Sequence, residues 1–132
     1  MAEDKKQQEI MFKLSMFEQQ IQYTQQQLQA IEQGIIEMNS LNLGLNELVN
    51  SEGKEILASV GKRIFIKTKI ISEELTVDIG KGTLVKKTIP ETKEIINEQI
   101  KKLAEIKKEL EDNLKKINKE LTETIIEAQK EN

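Results

Sequence analysis

The helical pattern of this chain is interrupted once, by residues 55–87, which read EILASVGKRIFIKTKIISEELTVDIGKGTLVKK. The stretch is rich in β-branched residues and partly alternates apolar with polar side chains, which is typical of short strands. Turn signals at residues 61–62, 72–74 and 80–82 divide it into four parts. The predicted strands cover residues 55–60, 62–71, 74–79 and 82–88. Their order predicts two consecutive β-hairpins.

A heptad pattern precedes this insert, in residues 1–50. Its positions step alternately by four and three residues, which indicates the 3.5-residue repeat of a left-handed coiled coil. They are Ile10, Leu14, Phe17, Ile21, Thr24, Leu28, Ile31, Ile35 and Met38. The stripe continues less regularly through Leu41, Leu45, Leu48 and Val49. Asn50 and Gly53 then offer a helix stop.

A second helix is predicted over residues 90–132. Thr88 and Glu91 fit a capping box, and Pro90 suits the first helical turn. Its stripe comprises Ile96, Ile100, Leu103, Lys107, Leu110, Leu114, Ile117, Leu121, Thr124 and Ala128. Two such helices pair by folding back on each other. We therefore expect one mainly α domain over residues 1–132, an antiparallel coiled-coil hairpin with the β insert of residues 54–89 at its hinge.

Two registers of the antiparallel pair satisfy the heptad pattern, and they differ by one heptad. In one, the numbers of facing residues sum to 131, which places Thr24 opposite Lys107. In the other they sum to 138, which places Lys107 opposite Ile31 and Thr24 opposite Leu114. A Lys without a partner beside Ile costs more than a Lys beside Thr. The sequence therefore favours the first register.

The composition excludes several classes of function. The chain has no Cys and no His, 3% of its residues are aromatic and 33% are charged. The commonest general base and metal ligand are missing, so we expect no enzyme, no cofactor and no metal site. Residues 80–83 read GKGT, but they lack the spacing of a phosphate-binding loop. No apolar run approaches the ~20 residues that span a bilayer. We expect a cytoplasmic protein that binds neither membranes nor nucleic acids.

The β insert carries more apolar residues than it can bury by itself. Isolated two-stranded hairpins are marginal in water, and open strand edges invite pairing with other chains. We therefore expect an oligomerisation element, in which strands of several subunits close a common sheet or barrel. Its predicted contact residues are Ile56, Leu57, Val60, Ile64, Ile66, Leu75, Val77, Ile79, Leu84 and Val85. The alternative is a hairpin cap that folds down on the coiled coil.

Two segments of the insert resemble a known family. Residues 55–61 (EILASVG) are similar to the E-I-L-V-P-L-G of the alpha class of prefoldin subunits, and residues 77–85 (VDIGKGTLV) to its V-x-V-G-x-G-x-x-V-E. Ala58 and Ser59 replace the usual Val-Pro pair, and Lys86 stands where Glu is common. The resemblance covers essentially the whole chain. Two hairpins favour the alpha class, because the beta class has one.

The resemblance implies an archaeal-type hexamer of two alpha and four beta prefoldin subunits. Their hairpins would build a double β-barrel from which six coiled coils project. It also implies a chaperone that captures unfolded client proteins at the coiled-coil tips and delivers them to a group II chaperonin without ATP. A filament-forming relative and a structural coiled-coil adaptor are the alternatives.

The chain ends carry apolar residues beyond those that the heptad seam needs. Met11, Phe12 and Met16 are surplus in the first helix, and Ile125 and Ile126 in the second. Exposed apolar surface usually has a use, and Met suits promiscuous contacts. Because the resembled family binds clients at its tips, we expect a client-binding surface here, helped by frayed seam residues. It comprises Ile10, Met11, Phe12, Leu14, Met16, Phe17, Leu121, Ile125 and Ile126. The alternative is that these residues pack on a neighbouring subunit or extend the seam.

Overall fold

The structure, a computed structural model, describes residues 2–130; Met1, Glu131 and Asn132, which the predicted domain includes, lie outside the described residues. Helix α1 covers Ala2–Leu48 and helix α2 covers Ile89–Lys130. Between them lie strands β1 (Glu55–Gly61), β2 (Ile64–Lys69), β3 (Leu75–Asp78) and β4 (Leu84–Lys87). Two long helices with two strand pairs between them confirm the predicted fold class. Within residues 2–130, neither helix contains a segment that is both long enough and apolar enough to cross a membrane.

The described chain forms two compact units. Residues 36–101, which include all four strands, make up the first, and the segments before Ile36 and after Lys101 make up the second. We call these the strand unit and the terminal unit. In each of them, a segment of α1 contacts a segment of α2.

Burial follows the predicted heptad stripe in both helices. The nine stripe residues of α1 up to Met38 are buried or half-buried, and so are all ten stripe residues predicted in α2. Near the end of α1 the strict repeat continues at Asn42, which is half-buried, while Leu41 and Val49 are exposed. The irregular stripe that the sequence predicted there is therefore wrong for these two residues. Up to Leu45, the repeat rather than the hydrophobicity of each side chain decides which positions face the other helix; Val49, the next position of the repeat, lies after the end of α1.

The register that the sequence favours is wrong, because the contacts between the helices match the alternative. In the terminal unit, Nζ of Lys107 lies 3.7 Å from Oε1 of Glu32. In the strand unit, Nδ2 of Asn42 donates a hydrogen bond of 2.8 Å to Oδ1 of Asn97. The residue numbers of each pair sum to 139. This sum differs by one from the 138 of the second register and by eight from the 131 of the first.

A charge pair at the edge of the seam explains this outcome. From sequence alone, Lys107 beside Ile31 is a buried charge without a partner. Instead, its ammonium group lies 3.7 Å from Glu32 and 3.9 Å from Glu111, and its side chain is 36% exposed. The charge thus remains paired and partly hydrated while the aliphatic stem lies along the seam. The free-energy cost of placing Lys107 beside Ile31, which argued against this register, is therefore small.

The insert forms two separate antiparallel sheets of two strands each, as predicted. β1 pairs with β2, with Ser59 opposite Phe65, and the pairing shifts register between Ser59 and Gly61. β3 pairs with β4, with Val77 opposite Val85. Each sheet leaves two strand edges that no strand of the described chain covers.

The turn between β1 and β2 consists of two basic residues. Lys62 and Arg63 have φ angles of 46° and 64°. Tight hairpin turns with positive φ at both central residues favour Asn-Gly, because Gly has no Cβ and the short polar side chain of Asn tolerates the left-handed region. A left-handed conformation costs an ordinary L-residue about 1–2 kcal/mol. This turn therefore holds strain that a more typical sequence would avoid.

Helix α2 begins with the predicted capping box. The backbone N–H of Thr88 donates to Oε1 of Glu91 at 3.1 Å, and the N–H of Glu91 donates to Oγ1 of Thr88 at 3.2 Å. These contacts satisfy backbone donors that a helix start leaves free. The backbone hydrogen bond from Thr88, followed by a side-chain hydrogen bond with Thr88, lowers the pKa of the Glu91 carboxyl.

The buried core of the strand unit is small. It consists of Leu45, Ile89 and Ile96, and the side chains packed against it are Met38, Leu48, Leu75 and Ile100. Leu75, a predicted oligomerisation residue, thus packs within its own chain, on the ends of the two helices. Among the described residues, no large side chain is fully buried.

Candidate functional site

Four of the predicted client-binding residues lie in the heptad seam. Ile10, Leu14 and Phe17 of α1 and Leu121 of α2 are all half-buried. Because the seam positions of the two helices face each other, these side chains hold the terminal unit together. While the helices are paired, these four side chains are only partly accessible.

The other five predicted client-binding residues are exposed. Met11 and Phe12 are 69% and 67% exposed, and Met16, Ile125 and Ile126 are 41–45% exposed. We call these five residues the tip surface. Each lies outside the heptad positions, so none is needed to pair the helices. The terminal unit thus presents large, flexible apolar side chains to solvent on both of its helices.

A shallow groove in the terminal unit brings two of the predicted residues together. Met16 and Phe17 line it with residues of both helices, namely Lys13, Gln20, Glu120, Glu123, Thr124 and Glu127. Thr124 is a predicted seam residue, whereas the other polar residues of the groove flank seam positions and were not predicted as site residues. The remaining exposed residues of the tip surface do not line it.

Most of the predicted oligomerisation residues are exposed within the chain. Seven of the ten have 40–67% of their surface in solvent, namely Ile56, Leu57, Val60, Ile64, Ile66, Ile79 and Leu84. Leu75, Val77 and Val85 are half-buried. The alternative of a cap folded on the coiled coil therefore does not describe the β1–β2 hairpin, whose apolar side chains remain uncovered.

Strand pairing places apolar residues on both faces of the β1–β2 hairpin. Directly opposite residues share a face, so Ile66, opposite Ala58, lies on one face. Phe65, opposite Ser59, lies on the other and is 56% exposed. Phe65 is not among the predicted oligomerisation residues. The signal was Ile64-Phe65-Ile66, since three consecutive apolar residues of a strand must use both faces.

These features together define a class of protein. Two heptad-patterned helices carry exposed apolar side chains near their ends, and two hairpins between them expose apolar faces and open edges. Such surfaces bind other polypeptides. The fold is that of two paired long helices with a β insert whose apolar side chains and strand edges are not covered by the described part of the chain.

Comparison with known proteins agrees with this class. A family model described as prefoldin subunit matches residues 17–132. A prefoldin subunit alpha from Methanobrevibacter smithii is 30% identical over 98 residues, which are 74% of this chain and 67% of that protein. A prefoldin subunit alpha from Methanosphaera stadtmanae is 23% identical over 96 residues, 73% of this chain and 70% of that protein.

A solved structure supports the fold independently. It is the cryo-electron microscopy structure of filamentous PFD from Methanocaldococcus jannaschii, which matches with a TM-score of 0.78 at 20% identity. The match covers 87% of this chain and 97% of that chain.

The chain therefore belongs to the prefoldin subunit family. It is similar to alpha subunits of archaeal methanogens, which confirms the resemblance seen in its sequence. As a member of this family it is a chaperone-type subunit that assembles with other prefoldin subunits. Prefoldin subunits are chaperones rather than enzymes.

Proposed function

We propose that this chain is a subunit of an ATP-independent holdase, which captures unfolded proteins at the ends of its coiled coil and passes them to a group II chaperonin. The tip surface is the observation that carries this proposal. Met11 and Phe12 are about two-thirds exposed, although exposed apolar side chains favour aggregation. Non-native clients expose apolar segments of many shapes, and flexible Met side chains adapt to them.

The proposal is tested by removing apolar surface from the tip. Phe12→Ser with Met16→Ser should weaken the suppression of aggregation of a chemically denatured client, while circular dichroism and subunit assembly remain unchanged. A matched control is Tyr23→Ser with Ile106→Ser, since both residues are exposed in the same unit and lie outside the tip surface. The control should suppress aggregation as the wild type does. Equal suppression by the tip variant and the wild type would contradict the proposal.

We further propose that two copies of this chain assemble with four beta-class prefoldin subunits. The exposed apolar face of the β1–β2 hairpin supports this, because closing a barrel with strands of neighbouring subunits would cover it. In such an assembly several tips act together. Weak contacts at each tip would then hold a client by avidity and still allow its release.

A filament is the second candidate assembly. The fold similarity to a filamentous PFD favours it, as do strand edges that are open in both hairpins. Native mass spectrometry of the chain isolated from its source organism separates the candidates. A discrete complex of two copies with four shorter chains supports the hexamer, and a ladder of homomers supports the filament. A small homo-oligomer without client binding would indicate a structural adaptor.

Transfer to a chaperonin needs a separate test. A labelled client bound to the assembled complex should move to a group II chaperonin when the two are mixed, as followed by native gel electrophoresis. Retention of the client by the complex, with aggregation still suppressed, would remove the transfer step and leave the holdase activity.

A further inference from the structure

The β1–β2 hairpin is a basic element in an acidic chain. Residues 54–69 contain one acid, Glu55, and five bases, which are Lys54, Lys62, Arg63, Lys67 and Lys69. Their net charge is +4, and because the whole chain carries −3, the remaining residues carry −7. Within the hairpin Glu55 is already paired, with its Oε2 3.1 Å from Nζ of Lys67. Most of the positive charge of the hairpin is therefore available to a partner.

The basic residues surround an exposed apolar pair. Leu57 lies opposite Lys67 in the β1–β2 ladder, and Phe65 lies two residues before Lys67 on the same face. Leu57 is 67% exposed and Phe65 is 56% exposed. Lys69 continues this face at one end, and the turn lies at the other. We call Leu57, Phe65, Lys67, Lys69 and Arg63 the basic hairpin face. A barrel closed through the opposite face would leave it uncovered.

The turn supports a role for these charges. Lys62 and Arg63 both occupy left-handed positions, where Asn and Gly would be less strained. Strain that persists in a fold indicates a function that offsets it. Two bases placed there extend the positive charge past the end of the strands.

Helix α1 offers a complementary surface. Residues 14–53 contain five acids and no Lys or Arg. Ile36 and Leu43 are 58% and 67% exposed, and Glu47 lies one turn after Leu43. Residues spaced by seven and then four lie on one stripe of a helix. We call Ile36, Leu43 and Glu47, with the neighbouring Glu37, the acidic helix stripe.

We propose that the basic hairpin face of one copy of this chain docks on the acidic helix stripe of a second copy. Each surface has two exposed apolar side chains. The hairpin face also holds Glu55, which is paired with Lys67, so its net positive charge comes from Lys69 and Arg63, while the helix stripe is negative. Burying the apolar pairs supplies affinity, and the charges orient the contact and exclude wrong partners. Because the two surfaces differ, the contact is heterologous and can repeat into a ring or an open chain. This inference does not depend on client capture or on a beta-class partner.

A charge-swap experiment on the full chain alone tests the proposal. The hairpin variant is Lys62→Glu with Arg63→Glu, both in the turn, which leaves Glu55, Lys67 and Lys69 unchanged. The helix variant is Glu37→Lys with Glu47→Lys. The association constant of each, from sedimentation velocity at low salt, should fall about tenfold or more below that of the wild type. Combining all four substitutions in one chain should restore association, because both surfaces then have reversed signs.

Matched controls separate this contact from general charge effects. Lys115→Glu with Lys116→Glu changes the net charge as the hairpin variant does, on the exposed surface of α2. It should leave the association constant within about twofold of the wild type, and added salt should weaken wild-type association, because surface charges are screened. A wild type that stays monomeric at all concentrations would overturn the proposal. So would a fourfold variant that associates no better than the hairpin variant, or a control that weakens association equally.

Discussion

Asn42 and Asn97 join the two helices of the strand unit by an amide–amide hydrogen bond of 2.8 Å. Asn42 occupies a heptad position that an apolar residue would normally fill, and its Oδ1 is buried without a hydrogen-bond partner in the described part of the chain. A polar residue at such a position fixes the register of a coiled coil at a cost in stability. In the register that sums to 131, Asn42 would instead face Ile89, and Asn97 would face Gly34.

Replacing both amides should therefore raise stability and loosen the register. We expect Asn42→Leu with Asn97→Leu to increase the Tm, because an apolar pair replaces an incompletely satisfied polar one. The chain has no Cys, so engineered pairs report the register directly. Met38→Cys with Ile100→Cys should form a disulfide in the parent chain, and Met38→Cys with Lys93→Cys should do so only after the Leu substitutions. If the same cysteine pair forms a disulfide with and without the Leu substitutions, Asn42 does not set the register.

Lys107 interrupts the apolar stripe of α2, and we expect its replacement to stabilise the coiled coil. Exposed ion pairs such as those with Glu32 and Glu111 contribute about 0–1 kcal/mol. Lys107→Leu should instead gain about 1 kcal/mol by burying apolar surface along the seam. Thermal unfolding of the chain measures this, with Lys108→Leu at the adjacent exposed position as the control. A Tm below that of the wild type would mean that the ion pairs matter more than the seam.

Relieving the strain in the turn between β1 and β2 should make the hairpin more stable and should weaken self-association of the chain. Lys62→Asn with Arg63→Gly gives the turn its favoured sequence, and the β1–β2 hairpin should gain about 1 kcal/mol. Slower amide hydrogen exchange in β1 and β2 would report that gain. The same variant should self-associate less than the wild type, since it loses two charges at the edge of the basic hairpin face. If the hairpin does not become more stable, the positive φ angles carry no strain of consequence.

The capping box predicts a pH dependence of stability. The pKa of Glu91 is lowered from 4.5, so the folded chain favours the ionised carboxylate more than the unfolded chain does. This stabilisation is fully present above pH 4.5 and is lost as the pH falls through the folded-state pKa. Glu91→Gln should lower the Tm near neutral pH and approach the wild type in acid. Glu98→Gln, on the exposed surface beyond the first turn of α2, is the control. A Tm difference for Glu91→Gln that persists unchanged into acid would exclude the carboxylate as its source.

The sequence predicted the elements well because their signals are local. Heptad spacing identified the seam, and Thr88, Pro90 and Glu91 identified the start of α2 from contacts within one turn. The hairpins followed from short alternating runs and from turns at glycine. Each of these features depends on residues that are near one another in sequence.

The register of the two helices and the exposure of the hairpin faces could not be predicted from local signals. The choice between two registers depended on whether Lys107 finds Glu32, two residues that are 75 positions apart. The run Ile64-Phe65-Ile66 indicated that apolar side chains lie on both faces of β2, but it did not show that both faces stay exposed. The tip surface could be predicted as surplus to the seam, but the polar lining of the groove beside it required both helices in place.

The shallow interior of this chain has a consequence for how its sequence can diverge. No large side chain among the described residues is fully buried. The seam requires only that a side chain at every third or fourth residue can be partly buried between the helices. Substitutions at a half-buried position cost less than in a dense core, where a single lost methylene is felt. Lineages can therefore exchange most residues and retain the architecture, as the filamentous PFD does at 20% identity. The architecture therefore places tighter demands on the spacing of the repeat than on the identity of individual interior residues.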